Sequence, residues 1–244
     1  MALLALETSL VVCGVSVLTT EADTRILYAR DEQLYRTHST KLLPMVEEAL
    51  VESGVPRQEF RAIGVSVGPG SFTGIRIGLA TAKALARAWA VPLVAPNTLE
   101  VIAANVVSPD ICCVVLDARR GMYYSGVYRH HGAGRMQTLW EAGAYNLPEI
   151  ERAVLGFAQT LEPGARLVLA GDAISQVEAA MHKIRPNVVY AEASECVPSS
   201  TNLGLIALCR YRQSLFCDPE EVTPVYLRRS EAEEKRARGV GVDS

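Results

Sequence analysis

Aromatic residues are scarce in this 244-residue chain, at 6 %, and positive charge is not in surplus: 24 Lys and Arg face 27 Asp and Glu, a formal net charge of −3. Proteins that hold nucleic acid by bulk electrostatics carry a basic field, so that mode is excluded, and any contact with RNA needs a local patch or a partner. The six cysteines (Cys13, Cys112, Cys113, Cys196, Cys209 and Cys217) form no C-x-x-C pair. In a chain of this size they predict free, largely buried thiols in a reducing cytosol. Cys112 and Cys113, adjacent on a strand, are expected to face opposite sides. The N-terminal MALLALETSLVVCGVSVL has no basic leader and carries Glu7 mid-stretch. It reads as strand, which leaves neither a signal peptide nor a membrane span and places the protein in the cytoplasm.

What is present is apolar material, 49 % of the residues, enough for one large core or two small lobes. β-branched runs predict strands within residues 3–18 and 25–30, and helical spacing predicts a helix over 39–52, with Ser39 or Thr40 as its cap and Pro44 in its tolerant first turn. A buried strand at 61–67 leads through a glycine-rich turn into a helix over 75–90, a short strand LVAP and a helix over 97–106. The pattern then restarts. LALETS running into VVCGVSV is echoed by VVLDARR running into YYSGVYR about 110 residues later. The second half continues with helices over 148–160, 173–184 and 201–213 and the strands RLVLAG and VVYAE. This duplication predicts an α/β chain of two related lobes, residues 1–108 and 109–230 with the boundary near Ser108, followed by a charged tail over 231–244.

One stretch carries most of the information: GVSVGPGSFTGIRIGLATAKALARAWA, residues 64–90. Strand, tight turn and helix start can cradle an anion on free N–H groups, and Gly68, Pro69, Gly70, Ser71, Phe72, Thr73 and Gly74 form that turn. It is neither a Walker A loop nor a dinucleotide fingerprint, so phosphate binding and a purely structural turn stand level. In the helix beyond it, Arg76, Ala80, Lys83 and Arg87 make one narrow stripe. Nearly everything else there is apolar or small, which suits either a helix enclosed in its own domain or one that also packs on another subunit.

GPGSFTGIRIG, with HSTKLLPMVEEAL and LALETS upstream and LDARRGMYYSGVY and PVYLR downstream, resembles the bacterial TsaB (YeaZ) family along nearly the whole chain. The resemblance implies the two-lobed actin/Hsp70/sugar-kinase (ASKHA) fold. It also implies a non-catalytic subunit in the formation of N6-threonylcarbamoyladenosine at position 37 of tRNAs. The partners implied are a TsaD-like catalytic paralogue and a TsaE-like ATPase, with ATP and a metal ion held by those subunits, tRNA reached through the complex, and no membrane. A homodimer is the alternative assembly. A stand-alone metallopeptidase-like or ATP-dependent phosphotransferase of the same superfold is the alternative function.

In the catalytic paralogue an N-H-x-E-x-H run and a later Asp hold the metal. The corresponding run here, Asn97 to Ile102, has Thr98 and Ile102 in place of the histidines, and Thr201 stands for the Asp, so no metal site is expected. His38 reads as a cap or surface residue, His130 and His131 as neighbours facing opposite ways, and His182 as isolated. Glu7, Asp117 and Asp172 follow apolar strands and are the candidates for a degenerate nucleotide site. Arg228, Arg229, Lys235, Arg236 and Arg238 form a basic cluster diluted by glutamates, which reads as a solvated helix. The two helices flanking the strand at 61–67 are expected to pair with a second subunit in a four-helix packing. Leu42, Met45, Val46, Ala49, Ile75, Leu79, Ala82 and Ala86 would form its centre, and Lys83 and Arg87 its rim.

Overall fold

The computed structural model describes residues 1–34, 37–107, 110–181 and 187–227. Ser108, His182, the last residues of the helix expected over 173–184, the basic cluster from Arg228 to Arg238 and the tail over 231–244 lie outside them. The first half holds β1 (Ala2–Glu7), β2 (Val12–Thr19), β3 (Ile26–Gln33), α1 (His38–Ser53), β4 (Phe60–Val65), α2 (Phe72–Trp89), β5 (Leu93–Val94) and α3 (Thr98–Ala103). The second holds β6 (Ile111–Asp117), β7 (Met122–His130), β8 (Met136–Asn146), α4 (Leu147–Gln159), β9 (Leu167–Ala170), α5 (Ile174–Met181), β10 (Val188–Tyr190) and α6 (Ser200–Arg212).

The two sheets repeat one another. Their orders are β3-β2-β1-β4-β5 and β8-β7-β6-β9-β10. In each, the first strand pairs antiparallel with the next, which pairs antiparallel with the third, and parallel with the fourth, which pairs parallel with the fifth. The duplication read from the sequence is therefore the architecture, a two-lobed α/β fold of the ASKHA type. β6 is buried on both faces. Cys113 packs with the α4 and α5 side and Cys112 with the α3 side, in opposite layers as alternation requires. All six thiols are free.

α1 and α2 cover one face of the first sheet, where Leu42, Met45 and Val46 meet Leu79, Ala82 and the β-strand residues Leu4, Leu6 and Ile63. Its other face is closed by α6, through Leu203, Ile206 and Ala207 against Leu3, Ala5 and Ala62. Here the expected domain boundary needs correcting: α6 belongs by sequence to the second lobe but by packing to the first. Asp31 of β3 fixes its start, since the Ser200 N–H donates to Asp31 Oδ1 at 3.1 Å and completes the capping by Ser199, whose Oγ accepts from Asn202 N. Between the lobes, Asn105 Nδ2 donates to the carbonyls of Glu195 and Val197, and Asn202 Nδ2 donates to Asn105 Oδ1 at 2.6 Å.

Two helix starts differ from expectation. α1 begins at His38, before Ser39 and Thr40, with no side-chain cap, so Pro44 falls inside the helix rather than in its first turn. Pro44 is exposed there. α2 begins at Phe72 because Ser71 caps it, accepting from Gly74 N at 3.2 Å. β8 has no counterpart in the sequence reading.

Candidate functional site

The glycine-rich turn is pressed against the end of β1. Thr8 Oγ1 donates to the Gly74 carbonyl at 2.8 Å, and Ser71 N–H donates to the Ser9 carbonyl at 2.7 Å. A Cβ at Gly74 would lie 2.1 Å from the Thr8 carbonyl oxygen, and one at Gly78 would lie 2.1 Å from Thr8 Oγ1. Glycines at this four-residue spacing let the helix backbone rest directly on Thr8. The ETS tripeptide and the glycine motif are thus one packed unit, and the structural reading of the turn gains over the anion cradle. The late PVYLR motif belongs to the same unit: Val225 N–H donates to the Val67 carbonyl at 2.8 Å, and Tyr226 stacks on Phe72 with ring centroids 4.9 Å apart.

Glu7 is fully enclosed beneath this unit. Its carboxyl accepts from Ser9 N at 2.8 Å, Ser9 Oγ at 2.5 Å and Ser66 Oγ. Burial raises the acid above the ordinary carboxylate value, against the lowering effect of the Ser66 and Ser9 hydrogen bonds. An acid with a raised folded-state pKa stabilises the fold fully below the unfolded value, and that stability is lost as pH climbs through the folded value. Glu7→Gln keeps the shape and removes the ionisation. Its melting temperature is expected to match wild type near pH 4 and to exceed it by several degrees at pH 8. Parallel melting curves from pH 4 to 8 would contradict this.

A cavity of about 570 Å³ opens between the lobes, walled by Gly70 and Thr73 on one side and Asp117, Arg119 and Asp172 on the other. Of the three acids expected to share a nucleotide site, the structure brings two together. Asp117 N–H donates to Asp172 Oδ1 at 2.8 Å, and Asp117 Oδ1 accepts from Arg119 N at 2.7 Å. Enclosure by the cleft walls raises the Asp172 carboxyl, with the Asp117 charge adding to it. Glu7 does not line the cavity; its carboxyl is taken up by Ser9 and Ser66. His38, expected as a cap or at the surface, is buried on the cavity wall with Nε2 3.2 Å from the Val12 carbonyl oxygen. Cys196 also lines it, its thiol pushed up mainly by burial. Neither had a sequence signal beyond its position near a helix start.

The residues that would hold a metal do not fit one. Thr98 and Ile102, one turn apart on α3, are fully buried, and Ile102 packs among Leu99, Val114 and Tyr128. The Thr98 hydroxyl has no hydrogen-bond partner among the described residues. Thr201 is half-buried in the first turn of α6. Glu100, which keeps its place in the run, is turned to other uses: it forms a capping box with Asn97 and an ion pair with Arg210 at 2.6 Å. Among the described residues no three His, Cys, Asp or Glu side chains cluster as a metal site.

The expected subunit interface also needs correcting. Leu42, Met45, Val46, Ala49, Ile75, Leu79, Ala82 and Ala86 are all buried in the chain's own first lobe. Helical periodicity identifies an apolar stripe but not what covers it, and here the sheet does. Lys83 and Arg87 both reach Glu220 of the chain itself. A strap over residues 215–227 runs along α2, bonded to β5 through reciprocal Leu93 and Cys217 hydrogen bonds. Glu220 of this strap meets Arg87 at 3.3 Å, and Arg76 Nε donates to Tyr226 Oη at 2.8 Å. The open surface lies elsewhere on the two helices. On α1, Leu43 is 51 % and Val51 76 % exposed; on α2, Ala80, Ala84 and Ala88 are exposed, with Ile77 and Leu85 partly so. The alanines at four-residue spacing were the signal for this face.

Comparison with known proteins places the chain. The family model "TsaD: tRNA N6-adenosine threonylcarbamoyltransferase" matches residues 31–235. The tRNA threonylcarbamoyladenosine biosynthesis protein TsaB of Bacillus subtilis is 34 % identical over 136 residues, 53 % of this chain and 56 % of that protein. The chain thus spans about half the length of that relative. TsaB of Escherichia coli is 27 % identical over 96 % of this chain and 98 % of its own length. The solved structure of YeaZ from Pseudomonas aeruginosa superposes with a TM-score of 0.75 at 28 % identity, covering 92 % of this chain and 99 % of that one. With the glycine motif, the ETS strand and the repeated sheets all accounted for, the chain belongs to the TsaD threonylcarbamoyltransferase family and to its TsaB/YeaZ members.

Proposed function

We propose that this chain is a non-catalytic subunit of the system that transfers a threonylcarbamoyl group from threonylcarbamoyl-adenylate to N6 of adenosine 37 in tRNAs. It acts by pairing with a TsaD-like catalytic paralogue. The observation that carries this reading is the outward face of α1 and α2, where the apolar residues Leu43, Val51, Ala80, Ala84 and Ala88 are exposed among the described residues. A paralogue built from the same repeated lobes offers a matching helix pair, and small alanines let helices approach closely. The substitution of both histidine positions by buried Thr98 and Ile102 supports leaving the metal and the chemistry to that partner. ATP is assigned to the partner subunits, including a TsaE-like ATPase, and a second copy of this chain is the competing occupant of the same face.

Reconstitution tests the reading. The purified chain, a TsaD-like paralogue, a TsaE-like ATPase, tRNA and threonylcarbamoyl-adenylate are combined, and modified adenosine is quantified by mass spectrometry after nuclease digestion. Product is expected from the full set and none from this chain alone. Product from the chain alone, or an unchanged yield when it is omitted, would overturn the assignment. ATP hydrolysis by the isolated chain would favour the phosphotransferase alternative instead.

A further inference from the structure

The outward face of α1 and α2 carries one charge at its middle. On α1, Leu43, Glu47 and Val51 stand four residues apart in one exposed stripe, away from the buried Leu42, Met45 and Ala49. The remaining charged side chains of α1 beyond its first residue lie on the flank toward β3. Glu48 is bonded there to Arg30 of that strand, and Lys41, seven residues before it, and Glu52, four after it, share the flank.

Across the sheet the order is α1 over β2 and β3, α2 over β4, then the strap bonded to β5. The cations of α2 all turn to the strap, on the side away from α1. Arg76 Nε donates to Tyr226 Oη at 2.8 Å, Arg87 meets Glu220 at 3.3 Å, and Lys83 Nζ donates to the Glu220 carbonyl at 3.5 Å. The exposed stripe left on α2, Ala80, Ala84 and Ala88, is uncharged. Glu47 has no ion pair or hydrogen bond among the described residues. Whatever covers this face therefore takes water from a carboxylate that the chain itself does not compensate, and a charge buried unpaired is strongly unfavourable. In a twofold self-pair each copy offers the same surface to the other, so two such carboxylates enter the seam and the face supplies no cation to meet either. A partner helix with a basic residue at the matching place meets the carboxylate directly, an arginine through two parallel hydrogen bonds.

We propose that Glu47 selects what covers this face: a helix of the TsaD-like paralogue that presents a lysine or arginine to it, and not a second copy of this chain. The proposal deepens the subunit reading and rests on it for the paralogue's identity. One carboxylate does both parts of the selection, since it attracts the basic partner and penalises the self-pair.

Full-length wild type, Glu47→Gln and Glu47→Lys are compared by sedimentation of the chain alone and by titration with the paralogue. Position 47 is exposed, so the three melting temperatures are expected to agree within about 2 °C. Glu47→Gln keeps the shape without the charge and is expected to self-associate about tenfold more tightly than wild type. Glu47→Lys sets like charges against each other and is expected to bind the paralogue about 100-fold more weakly. Wild type self-associating as tightly as Glu47→Gln overturns the exclusion of a second copy. Wild-type self-association that Lys83→Gln abolishes overturns it as well, because Lys83 is then the counter-charge. Glu47→Lys binding the paralogue as tightly as wild type overturns the basic partner. If wild type itself does not bind the paralogue, the subunit reading fails, and the sedimentation arm, which contains no paralogue, still decides for or against Glu47.

Discussion

Charge placed at Leu79 or Ala82 is expected to prevent folding, while charge placed at Leu43 or Ala84 is expected to leave the fold intact and remove the partner. Leu79 is 4 % exposed and Ala82 fully buried against β1 and β4. A glutamate at either site buries an unpaired carboxylate, at a penalty of several kcal/mol against a total stability of about 5–15 kcal/mol. Leu43 and Ala84 lie on the same two helices but point outward, where a polar substitution shifts stability by no more than about 0.5 kcal/mol. In the complex those positions would become buried, and association with the catalytic paralogue is expected to weaken about 100-fold. Thermal melts and a pull-down on the four single variants separate the two outcomes. Leu43→Glu and Ala84→Glu binding as tightly as wild type would move the interface off this face.

Removal of Arg210 is the second large effect. Glu100 is 4 % exposed, and Arg210 meets it at 2.6 Å from the last turn of α6. The pair pins α3 to α6, so it ties the end of the first lobe's sequence to the helix that seals its sheet. In Arg210→Ala the carboxylate keeps, among the described residues, only the long bond from Asn97 N at 3.2 Å. Breaking one side of a buried pair costs about 3–5 kcal/mol, or roughly 6–20 °C in melting temperature for a chain of this size. Adding Glu100→Gln removes the stranded charge, and the double variant is expected to regain more than half of the loss. A double variant no more stable than Arg210→Ala would show that packing of the arginine stem, not charge pairing, holds the two helices.

Much of the fold is legible in the sequence because it is written twice. LALETS and VVLDARR each end a strand in an acid and a turn, and the sheets that grow from them share one strand order. β8 escaped that reading for a physical reason. Its bulges break the alternation of Trp140, Ala142 and Tyr145, and Gly143 interrupts what strand propensity remains. The site was legible in type but not in orientation. Apolar spacing marked α1 and α2 correctly as a pair packed side by side, yet Leu42 and Leu79 turn to the sheet, and the outward surface falls to Leu43 and Ala84. The stripe Arg76, Lys83 and Arg87 was visible as well, but its cover comes from residues 215–227, too distant in sequence for any periodicity to announce.

That the last helix seals the first sheet also has a consequence for synthesis on the ribosome. Leu3, Ala5, Ala62 and Val94 form an apolar face that Val101 and Ala104 cover in part and that Leu203, Ile206, Ala207 and Leu208 on α6 complete. At translation rates of about 5–20 residues per second, the stretch between the end of α3 and the start of α6 takes roughly 5–20 s to emerge. For that interval the first sheet lacks the helix that closes this face. The second lobe, whose sheet is packed by its own α4 and α5, has no such wait. The half of the molecule made first is therefore finished last, and it is the half that carries the exposed apolar residues of α1 and α2.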